Sequence, residues 1–123
     1  MLKTEASEQL ALAKWLDAIG VLWFHPVNEG RRSLRQGAQL KARGMKAGVP
    51  DIIILSCPPA ASHVRGVAIE LKRLGGKISA NQDIFMRKMR TCEWLTQVCY
   101  GAEQAIAYLQ ALGYGYPAPD PED

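Results

Sequence analysis

The sequence predicts an α/β domain with a small central mixed sheet flanked by helices, and three observations carry that prediction. Two short β-branched runs, Asp51 to Leu55 and Gly66 to Lys72, are bounded by Gly and Pro and read as a pair of buried strands. Apolar residues recur at helical spacing near the N-terminus, after Ser79 and after Gly101. The elements then follow one another as helix, strand, loop, strand, strand, helix, strand, helix, which suits a layered α/β unit.

Taken in order, the first helix runs from about Glu5 to Ala18, with Leu12, Trp15, Leu16 and Ile19 on one stripe. Glu8 falls on that same stripe, where a carboxylate needs a reason. Either it serves a site or it favours the positive end of the helix dipole. Glu5 shares the face and has the same two readings. Gly20 ends the helix, Val21 to His25 form a first strand, and Pro26 closes it. His25, at the strand end, reads as structural or as a phosphate contact.

From Asn28 to Gly44 the chain is polar, glycine-containing and basic, with a short helix expected around Leu34 to Ala42. Arg31, Arg32, Arg35, Lys41, Arg43 and Lys46 occur with no acid among them. Such a stretch is either a solvated loop or an arm for a polyanion. A plain connection, which includes His63, joins the two central strands. Lys72 to Lys77 form a basic, Gly-rich turn in which Lys77 is a further candidate phosphate contact. Ser79-Ala80-Asn81-Gln82 matches a capping box, and Gln82 also heads an inward stripe with Phe85, Met86, Met89 and Cys92. Capping and a site role compete for that one side chain. Trp94 to Tyr100 give the last strand, and a helix striped by Ala102, Ala105, Ile106, Leu109 and Leu112 covers the sheet.

The chemistry concentrates on the central strands. Side chains alternate along a strand, so Ala68, Glu70 and Lys72 share one face and Val67, Ile69 and Leu71 the other. Burying Glu and Lys together is costly without a purpose. If the strands pair, Asp51 and Glu70 meet, and like charges at about 4 Å repel by roughly 4 kcal/mol at an effective dielectric of 20. A proton or a bound cation relieves that. All-oxygen donors suit a hard ion such as Mg²⁺, with Mn²⁺ as a substitute. Lys72 then orients or deprotonates a water, or stabilises charge building on a phosphate.

Pro50-Asp51 followed by Glu70-Leu71-Lys72 resembles the PD-(D/E)xK nuclease motif. With the flanks Lys46-Ala47-Gly48-Val49, Ala68-Ile69, Arg73 and Ser79-Ala80-Asn81-Gln82, the chain is similar to the VRR-NUC subgroup, in particular its small stand-alone members of phage and bacterial origin. The resemblance implies a restriction-endonuclease-like core and metal-dependent DNA endonuclease activity. It implies catalytic roles for Asp51, Glu70, Lys72, Gln82 and Glu8, with Asp51, Glu70, Glu8 and the Leu71 backbone carbonyl around the metal. It also implies DNA as substrate, duplex or branched, with a four-way junction or flap as the leading forms, and a homodimer. Two rivals stand beside it: a catalytically silent DNA-binding module, and a nuclease subunit active only within a larger phage or restriction assembly.

Composition agrees. With 123 residues and 48% hydrophobic content, one domain with a true core is expected over 1–112, followed by a flexible Gly, Pro and acidic tail over 113–123. The net charge is only +3, so its distribution carries the information. No apolar run reaches a membrane span and no signal peptide is evident, which points to the cytoplasm. Cys57, Cys92 and Cys99 lack the spacing of a zinc site and read as reduced thiols inside the core. The histidines do not make an HNH centre.

Overall fold

The computed structural model describes residues 4–26 and 33–115. Its elements are α1 (Glu5–Ile19), β1 (Trp23–Phe24), α2 (Leu34–Ala42), β2 (Ile52–Ile54), β3 (Val67–Leu71), α3 (Ala80–Thr91), β4 (Leu95–Cys99) and α4 (Ala102–Ala111). The order is the expected one. The strands form one sheet, β1-β2-β3-β4, antiparallel across the first two pairs and parallel between β3 and β4. The sheet is therefore mixed.

β3 is buried along its whole length, so its alternating faces both meet protein. One face sends Ile52, Ile54, Val67, Ile69 and Leu71 into a core completed by Leu12 and Leu16 of α1 and Ala105 and Leu109 of α4. The other face carries Ile53, Ala68 and Glu70, also buried, and α3 packs beside β4. Glu70 thus sits in an otherwise apolar layer.

The first strand is shorter than its apolar run. The Leu22 N–H donates to Ser56 Oγ at 2.8 Å, and the Leu22 carbonyl accepts from Leu55 and Ser56 N–H. A side-chain hydroxyl has replaced the next rung of the ladder, so regular pairing stops at Trp23. At the other end of the chain, Tyr114 is buried and its hydroxyl donates to the Ser56 carbonyl. This corrects the expectation that a flexible tail begins at 113, because an aromatic three residues past α4 still reaches the core. Residues 116–123 lie outside the described residues.

The cysteines also depart from expectation. Cys99 is buried on β4, but Cys57 and Cys92 are exposed, on the β2–β3 connection and at the end of α3. All three are free thiols. No helix among the described residues is long and apolar enough to cross a membrane.

Candidate active site

The β2–β3 register builds the site. Ile52 faces Ile69 in an antiparallel pair, so one step outward Asp51 comes opposite Glu70. Opposed residues in such a pair project to the same face. The Asp51 Oδ2 accepts the Leu71 N–H at 2.9 Å, which ties the acid at the mouth of β2 to the end of β3. Lys72 Nζ lies 3.6 Å from Glu70 Oε1, with the side chains only 15% and 4% exposed. Asp51, Glu70 and Lys72 therefore share one corner, as the alternation of the strand demanded.

Gln82 joins them and overturns one expectation. Its Oε1 accepts the Ser79 N–H at 2.8 Å, completing the capping box of α3. Its Nε2 donates to Glu70 Oε1 at 2.9 Å. The two ends of an amide are chemically distinct, so capping and site contact do not compete. The approach is close because of Gly48: a Cβ there would lie 2.4 Å from the Asn81 backbone and 2.7 Å from Gln82 N. Only glycine lets the segment before Pro50 lie against the first turn of α3, and its φ of +81° is itself unfavourable for other residues.

His25 closes another side. Its Nδ1 lies 2.6 Å from the Asp51 carbonyl. A carbonyl only accepts, so Nδ1 carries the proton in that contact.

Electrostatics mark the pair. Burial, and then the Asp51 charge, push the Glu70 carboxyl up to about 8, against the opposing pull of Lys72. Burial also raises Asp51, offset by the Leu71 N–H. Glu70 Oε2 is buried with no hydrogen-bond partner. Such an orphan typically costs about 1–3 kcal/mol, more when charged. A strongly shifted carboxyl with an unused oxygen, beside a second acid and a lysine, marks a candidate functional site.

These donors fit a divalent cation of a particular kind. Two carboxylates converge, yet among the described residues no group of three His, Cys, Asp or Glu side chains is placed to hold a metal. Mg²⁺ asks for no more, because it keeps waters and meets substrate phosphates through its other positions. A protein-only cage, as structural zinc requires, is not present among the described residues.

The structure takes Glu8 elsewhere. Its Oε2 accepts the Ala102 N–H at 2.6 Å, capping α4, whose N-cap is a glycine without a side chain to do so. Glu8 is thus not gathered with Asp51 and Glu70, and the face of α1 that suggested it brings Glu5 closer instead. Glu5 lines the cavity that holds Asp51, Glu70, Lys72 and Gln82, about 390 Å³ in volume. Its Oε1 also accepts the Arg73 N–H at 3.3 Å. The signal for Glu5 was present, since both acids share one helical face, but choosing between them needed the tilt of α1.

That cavity is the middle of a groove. A second, of about 490 Å³, shares Glu5, His25 and Asp51 with it. A third, of about 910 Å³, shares Glu5 and Lys72 but contains neither Asp51 nor Glu70. Of the basic residues, Lys41 and Lys46 line the central cavity. Arg35 and Arg43 are exposed on and after α2, and Lys77 is exposed before α3. Arg31 and Arg32 lie outside the described residues.

Comparison with curated proteins yields no match. One solved structure, of a VRR-NUC domain protein, matches with a TM-score of 0.68 and 22% identity, covering 93% of each chain. At that identity the likeness speaks for the fold. The family model of the VRR-NUC domain matches residues 3–103, a span that takes in α1, all four strands and the carboxylate corner. The chain belongs to the VRR-NUC domain family and is a nuclease-type domain.

Proposed function

We propose that this chain is a Mg²⁺-dependent DNA endonuclease, served also by Mn²⁺, that hydrolyses phosphodiester bonds with a preference for branched DNA. The observation that carries the reading is Glu70: buried, its Oε2 without a partner, between Asp51 and Lys72. A binding module has no need of that arrangement. In this reading Asp51, Glu70 and the Leu71 carbonyl hold the ion. The ion, when bound, supplies Lewis-acid stabilisation of charge on the phosphate and on the leaving oxygen.

The side chains do the rest. Gln82 Nε2 fixes Glu70 Oε1, so Oε2, which has no hydrogen-bond partner, is the oxygen that would hold the ion. The Leu71 N–H holds one Asp51 oxygen, so the acid cannot rotate away. The Lys72 ammonium, steadied by Glu70, orients a water for in-line attack on phosphorus. As the new P–O bond forms, the water gives up a proton to solvent and the bond to the 3′ oxygen breaks; that oxygen takes a proton, leaving a 5′ phosphate and a 3′ hydroxyl. Lys41 and Lys46 at the cavity wall suit the flanking phosphates.

A chain with one such site cuts both strands symmetrically only as a two-fold pair, so a homodimer is part of the proposal. The test is incubation of the purified chain with labelled junctions, flaps and plasmid, with and without Mg²⁺. Cutting by this chain alone that requires Mg²⁺ and vanishes in Asp51→Asn supports it. Full cutting by Asp51→Ala or Lys72→Ala overturns it, and Mg²⁺-independent binding without cutting favours the silent module.

A further inference from the structure

A cleft of about 910 Å³ lies beside the one that holds the carboxylates. It opens beside Lys72, and Leu74 and Tyr100 are among the residues that line it. Leu74 is 92% exposed. It follows Arg73 in a turn closed by the Gly76 N–H on the Arg73 carbonyl at 2.8 Å, with Gly75 at φ +83°. Any residue that tolerates a turn corner would serve the fold there. The aliphatic side chain is there held out into water, in a basic turn at the wall of the cleft, where it can meet a ligand.

Tyr100 is 42% exposed at the end of β4. Its N–H donates to Gln104 Oε1 at 2.8 Å, which anchors its backbone at the cleft wall. The charged lining is mixed but not equivalent. Glu5 and Glu8 each accept a backbone N–H, from Arg73 and Ala102, Lys72 is paired with Glu70, and Arg73 adds an exposed cation. The cleft is continuous with the catalytic groove through Lys72 and Glu5.

An aromatic face, an aliphatic wedge and cations in line with a phosphate site match the chemistry of an unpaired nucleotide. Aromatic rings take the π-face of any base, and projecting leucines enter between base steps. We infer that this cleft is a nucleobase subsite, in which a base unstacked next to the phosphate at Asp51, Glu70 and Lys72 lies between the Tyr100 ring and Leu74. The inference rests on the proposed nuclease reading and deepens it: the cleft, rather than the carboxylate corner, supplies the preference for branched over continuous duplex.

The test uses flap and duplex DNA carrying 5-iodouracil at single positions around the branch, bound in Ca²⁺ and irradiated. An adduct on Tyr100, mapped by mass spectrometry, is expected for one flanking position. In parallel, the flap-to-duplex affinity ratio should fall about tenfold in Leu74→Ala and in Tyr100→Ala. Leu74→Met should restore most of it, and Leu55→Ala, an exposed leucine outside these cavities, should leave it unchanged. Circular dichroism confirms that each variant is folded. An unchanged ratio in both alanine variants, or adducts that map only elsewhere, overturns the subsite. Cutting in Mg²⁺ is scored separately: a chain that cuts without these effects loses only the subsite. One that shows them without cutting loses the catalytic reading, and one that binds no DNA loses both.

Discussion

The carboxylate corner and α2 both carry charge but are built differently. Asp51, Glu70, Lys72 and Gln82 are buried or half-buried, and each is held by a named partner. α2 has no buried residue at all, and its cations stand in solvent. A nine-residue helix without a packed face gains little from its surroundings, since isolated helices of that length are marginal. Chemistry needs atoms within tenths of an ångström, and attraction to a polyanion needs only the right sign. The two regions show what each demand costs in structure.

The comparison is most easily broken at Asp51. Asp51→Asn should reduce Mg²⁺-dependent cutting by about three orders of magnitude while DNA affinity in Ca²⁺ changes little. Gln82→Ala, which frees Glu70 Oε1, should cost about 10–100-fold in activity or metal affinity. Parallel declines in cutting and binding would mean the corner is only a binding surface.

A second break lies in the stability of the metal-free chain. Glu70 sits at about 8 in the fold, above its ordinary 4.5, so the folded state holds a proton that the unfolded chain gives up. Its contribution is therefore complete below pH 4.5 and is lost as pH rises through 8. Asp51 is shifted in the same direction. The melting temperature should fall between about pH 5 and pH 8, and Glu70→Gln should flatten the fall. Mg²⁺ should raise the melting temperature more at pH 8.5 than at pH 6, because binding must displace that proton.

Gly48→Ala sharpens the contrast from the side of packing. The added methyl meets the backbone of α3 at 2.4 Å, at a φ of +81°, so thermal melting should show a loss of about 1–3 kcal/mol. Gly37→Ala on α2, where a Cβ meets nothing within 4 Å, should be neutral or stabilising. The smallest effect on chemistry belongs to the cations. Neutralising Arg35, Lys41, Arg43 and Lys46 should flatten the slope of log affinity against log salt, by about 0.9 for each phosphate that no longer meets a cation. An unchanged slope would make that stretch a solvated loop.

Much of this was legible in the sequence. The cap at Ser79, the boundaries of α2 and the strand pair all follow from local pattern, because each depends on residues within one turn or one alternation. Glu8 was harder to place, for a complementary reason. Periodicity names a helix face but not which of two acids on it meets the sheet, and the glycine N-cap of α4 claimed Glu8. Gln82 was underestimated because one amide can face two ways.

The sequence by itself determined the reactive groups and their order: two acids and a lysine on paired strands, a glutamine at a helix start, cations between. Alternation and capping act over a few residues, so they survive in one dimension. Only the tertiary structure decided which oxygen of Glu70 is left without a partner, that Glu5 rather than Glu8 lines the cavity with Asp51 and Glu70, and that Leu74 and Tyr100 border the adjoining cleft. Those outcomes depend on sheet register and helix tilt, which are set by packing between distant segments.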